Sequence, residues 1–301
     1  MPILHPPIGV FDSGIGGLSV LQSLRSELPY EYFVYLADSA NTPYGERGDA
    51  FVQERTHTIA RYLVSQHGIK ALVIACNTAT AAAVESLRQN MPQLPLIGVE
   101  PAIKPAARST QTGHVGVMAT RGTVQSQRFQ RLLTAFGRET TFHIQACDGL
   151  ARAIEKSTEH PASLTSLNAI DTEIRALCAR YTDALGSFGL KTAEMDTLVL
   201  GCTHYIFAKD DLRALLGPDV QLVDTGAAVA RQTRRLLMQL DALAPEPLLA
   251  HQTHKPNLHD VLAGPEQIYL QTTGRLSALQ AAAQRWLQLP GSCCTLCSIA
   301  G

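Results

Sequence analysis

The chain lacks any apolar run near the ~18 residues that a membrane span requires. Its most apolar windows, Ala71–Ala75 and Thr197–Leu200, are short. The opening Met1-Pro-Ile-Leu-His-Pro-Pro-Ile8 has neither a basic n-region nor a long apolar h-region. Charge is sparse: 17% of residues are charged, against ~25% in an average soluble domain. No excess of one sign exists either, because 25 Lys and Arg face 26 Asp and Glu for a net charge of −1. That excludes a general electrostatic grip on nucleic acid or on an anionic membrane. Seven cysteines, an odd number in a long chain without a secretory signal, exclude a disulfide framework and point to reduced thiols. The composition reads as a cytoplasmic globular protein with no nucleic-acid or membrane partner.

Two phosphate-binding fingerprints are also missing. Gly14-Ile15-Gly16-Gly17-Leu18-Ser19 follows a predicted strand, but Ser19 stands where G-x-G-x-x-G needs its third glycine, and no G-x-x-x-x-G-K-[ST] occurs. The stretch reads as a tight turn that lets backbone approach a small anion.

What is present is alternation. The 301 residues allow about two domains at ~100–200 residues each, and 46% apolar residues allow a sizeable core. Predicted strands are Ile8–Phe11, Tyr32–Ala37, Ala71–Ala75, His114–Met118, Thr141–Gln145, Thr197–Leu200, Gln221–Val223 and Gln267–Thr272. Helical periodicity fills Leu18–Leu28, Ala50–His67, Ala79–Gln89, Thr123–Phe136, Ser166–Leu185, Ala227–Leu240 and Leu276–Leu287. Unpatterned strands alternating with amphipathic helices predict an α/β protein with parallel sheets covered on both faces. Ligands in such folds sit beyond the carboxyl ends of the strands.

Small and polar residues crowd those ends. Ala71-Leu-Val-Ile-Ala-Cys76-Asn-Thr78 and Thr197-Leu-Val-Leu-Gly-Cys202-Thr-His204 share one short pattern. Their separation far exceeds a solenoid period of ~20–50 residues and suits two similar halves. Cys147 and Cys178 have no such context and read as small core residues. Cys76 and Cys202 sit between strand and helix, where N–H groups and the helix dipole favour thiolate. Two thiols from two halves suit abstraction of a carbon-bound proton on one face and its return on the other, without a cofactor. Asp12 is placed to orient a thiol or a substrate ammonium, and His204 to share the Cys202 proton. Ser13, Asn77, Thr78, Thr120, Thr123 and Thr203 read either as carboxylate ligands or simply as helix caps.

Cys293, Cys294 and Cys297 form one C-C-x-x-C cluster after Pro290-Gly291, a weak zinc pattern that reads better as a loosely ordered tail. Cys202-Thr-His204 has no further Cys/His cluster beside it, so no metal site is expected. His57, His67, His251, His254 and His259 have no motif context.

Five stretches together resemble the glutamate racemases, cofactor-independent bacterial enzymes of the aspartate/glutamate racemase superfamily. They are Ile8-Gly-Val-Phe-Asp-Ser-Gly-Ile-Gly-Gly-Leu18, Ala37-Asp-Ser-Ala-Asn-Thr-Pro-Tyr-Gly45, Ala75-Cys-Asn-Thr-Ala-Thr80, Ile97-Gly-Val-Glu-Pro-Ala102 and Leu200-Gly-Cys-Thr-His-Tyr205, in the family's order. Weaker similarity continues through Val223-Asp-Thr225 and Leu270-Gln-Thr-Thr-Gly274.

The resemblance implies two pseudo-symmetric α/β domains with the site in the cleft between them. The expected division is 1–100 with 211–288, then 101–210, with 289–301 as a tail. It implies Cys76 as the base toward D-glutamate and Cys202 as the base toward L-glutamate. Asp12 accompanies the first thiol, and His204 and Glu155 the second. Asp12, Ser13, Pro43, Tyr44, Gly45, Asn77, Thr78, Thr120, Thr123, Thr203 and His204 are the implied substrate contacts. The implied product is D-glutamate for peptidoglycan. A homodimer and activation by a cell-wall precursor such as UDP-N-acetylmuramoyl-L-alanine stay open at this point.

The chain departs from the family at Cys147-Asp148-Gly149, where Cys-Pro-Leu is common, and at Ile206, where Pro is common. Two other readings stand beside this one. An aspartate- or hydantoin-type racemase is disfavoured by Thr203-His204, since aspartate-type relatives typically carry another residue after the second Cys. A module that sequesters DNA gyrase would bind protein rather than turn over an amino acid.

Overall fold

The computed structural model describes residues 5–158, 164–246 and 264–299. Residues 1–4 and His251, His254 and His259 lie outside the described residues. Along the chain the strands are β1 (Ile8–Asp12), β2 (Phe33–Ala37), β3 (Ala71–Ile74), β4 (Leu96–Gly98), β5 (His114–Ala119), β6 (Thr141–Ala146), β7 (Thr197–Gly201), β8 (Gln221–Val223), β9 (Ile268–Thr272) and β10 (Cys294–Leu296). The helices are α1 (Leu18–Glu27), α2 (Asp49–His67), α3 (Asn77–Asn90), α4 (Ile103–Ser109), α5 (Arg121–Gln125), α6 (Gln127–Phe136), α7 (Leu150–Lys156), α8 (Leu164–Leu185), α9 (Lys209–Leu216), α10 (Gly226–Gln239) and α11 (Leu276–Ala282).

Two sheets result, in the orders β10-β9-β2-β1-β3-β4 and β6-β5-β7-β8. Every strand pairing in them is parallel. Parallel neighbours need a crossover, which is why helices intervene. The strands β1, β2, β3 and β7 are buried along their whole length, as their unbroken apolar runs require. The order β2-β1-β3-β4 recurs as β6-β5-β7-β8. Cys76 follows the third strand of the first set and Cys202 the third strand of the second. The short sequence match between these segments thus coincides with equivalent places in the two sheets.

Register aligns the functional ends. Asp12 pairs with Ala37, and Phe11 with Ile74, so the residues after β1, β2 and β3 leave one sheet edge together. In the second sheet Ala119 pairs with both Ala146 and Gly201, which sends Thr120, Cys147 and Cys202 out together.

Sheet membership differs from the expected boundaries in two places. β8, inside the stretch assigned to the first domain, pairs with β7 in the second sheet. The chain returns only at α10, where Gly226 admits the Ser23 hydroxyl of α1 to within 2.5 Å of where a Cβ would stand. The tail is not loose: β10 extends the first sheet, with Cys294 opposite Leu270. Cys293 and Cys294 are buried there, and Arg55 donates to the Ile299 carbonyl at 3.2 Å. A three-residue edge strand leaves too short a pattern to read, and the same holds for β4. The predicted helix over Thr123–Phe136 is two helices, because the Ser126 hydroxyl accepts the Phe129 N–H at 3.1 Å and caps α6.

Candidate active site

Asp12 ends β1 fully buried. Its Oδ1 accepts the Gly14 N–H at 2.8 Å and the Ser13 hydroxyl at 3.3 Å, and its Oδ2 accepts the Thr203 hydroxyl at 2.9 Å. One carboxylate therefore ties the end of β1 to the residue beside Cys202. Burial pushes its carboxyl up to about 6, against the opposing pull of His204 and the Gly14 N–H.

Cys76 is the N-cap of α3, and its sulfur accepts the Ala79 N–H at 3.5 Å. The thiol thus occupies the position of a capping hydroxyl, and donates toward Ser13 Oγ at 3.8 Å. Burial, and then the Asp12 charge, push this thiol up to about 12. The cap is too weak to offset that, so Cys76 carries its proton.

Cys202 has a different shell. Its sulfur lies 3.7 Å from His204 Nδ1, and His204 Nε2 lies 2.6 Å from Glu155 Oε1. Burial lowers the imidazole's proton affinity, but the Cys202 sulfur and the Glu155 carboxylate outweigh it and hold His204 well above its usual range. A protonated His204 donates through both ring nitrogens, to sulfur on one side and carboxylate on the other.

The glycine-rich turn makes this possible. A Cβ on Gly14 would overlap the Glu155 carboxylate, and one on Gly16 would overlap the His204 ring. The Ile15 N–H donates to Glu155 Oε1 at 2.7 Å. The small anion that this backbone meets is thus the protein's own carboxylate from the other half.

A second seam between the halves is built of hydroxyls. Thr78 Oγ1 and Thr120 Oγ1 are 3.0 Å apart, and Thr120 Oγ1 donates to Thr123 Oγ1 at 2.9 Å. Thr120 also caps α5, so ligand and cap readings describe the same side chain. Gly45 leaves room for it: a Cβ there would come within 2.6 Å of Thr120 Cβ. Asn77 is buried beside this seam with both amide atoms lacking any partner. A buried amide without a partner is uncommon in a folded chain, and this one stands at the head of α3.

A family model described as Asp/Glu/Hydantoin racemase matches residues 8–233. A glutamate racemase from Ectopseudomonas mendocina is 48% identical over 245 residues, 81% of this chain and 87% of that protein. The solved glutamate racemase isoform RacE1 of Bacillus anthracis superposes with a TM-score of 0.75 at 29% identity, covering 98% of each chain. The Escherichia coli glutamate racemase, solved with L-glutamate and the activator UDP-MurNAc-ala, gives 0.73 at 30% identity over 99% of this chain and 100% of its own. The chain belongs to the glutamate racemases of the Asp/Glu/hydantoin racemase family. It is an enzyme of the isomerase class, and its mixed α/β fold with two parallel sheets is the one these racemases share.

The expected site residues are not all assembled alike. Asp12, Ser13, Cys76, Thr203, Cys202, His204 and Glu155 form one chain of contacts across the cleft. Thr78, Thr120 and Thr123 form another. The Tyr44 hydroxyl turns away from both, because it donates to Asp38 Oδ2 at 2.7 Å. Asp38 is held by Arg55 at 2.9 Å and by the Thr273 hydroxyl at 2.8 Å, and these partners outweigh burial and keep its carboxyl below the usual range. This Asp38 anchor, which fixes the loop carrying Thr42, Pro43 and Gly45, escapes sequence reading. Its partners are distant along the chain, and only the polar string after β2 hinted at it.

Cys147 and Cys178 are buried, as core cysteines should be. Among the described residues no group of three or more His, Cys, Asp or Glu is placed to hold a metal ion. None of the described helices is long and apolar enough to cross a membrane.

Proposed function

We propose that this chain interconverts L- and D-glutamate by a cofactor-independent two-thiol mechanism and supplies D-glutamate to peptidoglycan precursors in the cytoplasm. The observation that carries the reading is the Asp12 carboxylate, which links the Ser13–Cys76 side to Thr203 beside Cys202. That link supports two thiols from equivalent strand ends acting on one substrate carbon.

The two thiols stand in different shells. Next to an imidazolium, Cys202 is equipped to act as base toward the α-proton of L-glutamate. Cys76, which carries its proton, is equipped to deliver one to the other face. The C–H bond of the α-carbon breaks toward one sulfur, and a new C–H bond forms with the proton from the other, so atoms balance without a redox partner. The Asn77 amide and the Thr78–Thr120–Thr123 hydroxyls supply donors for substrate carboxylates. Thr203-His204 and relatives at 45–49% identity that carry the glutamate racemase name support glutamate over aspartate.

The test is turnover of each glutamate enantiomer in D2O, read as deuterium at the α-carbon together with inversion. Inversion of glutamate with one solvent deuteron incorporated is the expected result. Inversion of aspartate but not glutamate overturns the substrate assignment. The activator bound to the Escherichia coli relative makes the rate with and without UDP-MurNAc-Ala the companion measurement.

A further inference from the structure

A cavity of about 530 Å³ opens against Glu155 between the two halves of the chain. Its walls hold Arg47, Arg152, Lys156 and Arg275 against only two carboxylates, Glu46 and Glu155. That local excess of positive charge stands in a chain whose net charge is −1. Arg47, on the loop after β2, and Arg275, just before α11, come from the half built on the first sheet. Arg152 and Lys156 come from α7 in the other half. The i, i+3, i+4 spacing of Arg152, Glu155 and Lys156 puts all three on one face of α7. That face is divided by depth: Glu155 is 6% exposed and bound to His204, while Arg152 is exposed and Lys156 half-buried. Thr42 lines the same cavity and its hydroxyl oxygen is buried without a partner.

We propose that this cavity is the mouth of the active site, an electropositive vestibule that concentrates a singly anionic dicarboxylic amino acid before it reaches the cysteines. The inference rests on the glutamate reading above and adds to it how an anionic substrate is gathered. A cleft lined by one sign of charge focuses its field and raises the local concentration of an oppositely charged ligand. The four cations act at the approach, at a distance from the reacting carbon, so they set KM and leave kcat alone. Exposed charges of this kind are screened by salt over about 10 Å at 0.1 M.

The experiment is steady-state racemisation of D-glutamate by the full chain at a series of NaCl concentrations. It compares wild type with the triple variant Arg47→Gln/Arg152→Gln/Lys156→Gln. We expect kcat/KM of the wild type to fall with salt while kcat stays level. The triple variant should lose about three- to tenfold in kcat/KM at low salt, through KM, and lose most of the salt dependence. A single-site series adds a check that packing does not mimic: Arg152→Lys near wild type, Arg152→Gln weaker, Arg152→Glu weakest. A triple variant with unchanged KM and salt slope overturns the vestibule, and so does one whose kcat falls in proportion. A wild type that racemises no glutamate overturns the vestibule together with the functional reading beneath it. Normal wild-type turnover beside an unaffected variant overturns the vestibule alone.

Discussion

Cys76 and Cys202 occupy the same place in two copies of one strand order, yet their surroundings share almost nothing. Cys76 has a backbone N–H, a serine hydroxyl and a buried carboxylate near it. Cys202 has an imidazole backed by a second carboxylate. Equivalent backbone positions set where each sulfur sits, while side chains borrowed from elsewhere set its partners. Glu155 reaches His204 from α7, and Asp12 reaches Thr203 across the cleft. The proposed two-thiol inversion asks different tasks of the two sulfurs in each direction, and unlike shells on a repeated frame suit that division.

The comparison breaks most severely when either sulfur is removed. Cys76→Ala and Cys202→Ala should each lower racemisation about 10³-fold, within the range for a positioned acid or base. Because the equilibrium constant of racemisation is one, kcat/KM must fall equally in both directions, which polarimetry started from each enantiomer checks. Equal and full activity in both variants would remove the basis of the two-thiol reading.

Glu155→Gln attacks one shell only. It leaves His204 without its anionic partner, and we expect about a 10²-fold loss of kcat/KM. Wash-out of the α-proton into D2O should drop more for L-glutamate than for D-glutamate, because the direct partners of Cys76, the Ala79 N–H and the Ser13 hydroxyl, are kept. Equal losses from the two enantiomers in wash-out contradict the division of labour. Gly14→Ala reaches the same shell through sterics, since its Cβ would overlap the Glu155 carboxylate. About a tenfold loss of activity is expected, with destabilisation of about 1–3 kcal/mol measurable by denaturant titration.

The effect confined to a narrow pH window concerns Asp12, which stands between the shells. Its carboxyl, raised to about 6, keeps a proton in the folded state that the unfolded chain has released at about pH 4. The folded form therefore binds more protons between these values, and stability falls as pH rises from about 4 to 6, by up to ~3 kcal/mol. Asp12→Asn should flatten that slope in thermal midpoints recorded against pH. It should also abolish an acidic limb near pH 6 in kcat/KM. A slope identical to wild type refutes the assignment to Asp12.

Much of this was legible in the chain, for reasons that differ by element. Long buried strands such as β1 and β7 announce themselves by continuous apolar runs, and α2 by its length and the left-handed Gly68 that ends it. β4, β10, α4 and α9 are too short for a period to emerge. The C-terminal cysteines misled because an edge strand that completes a sheet looks, in isolation, like a polar tail. Within the site, Cys76, Cys202 and His204 stood out through their strand-end context. Glu155 came only from family resemblance, and the Asp38 anchor from neither.

The sequence by itself determined the alternation of strands and helices, the pair of cysteines and the absence of any bulk charge to hold a polyanion. Each of these depends on residues near one another in the chain or on simple counts. Only the tertiary structure decided that Cys76 keeps its proton, why Gly14 and Gly16 have no side chain, and that four cations gather at one cavity. Those properties depend on burial and on partners from the opposite half, and both exist only once the two sheets face each other.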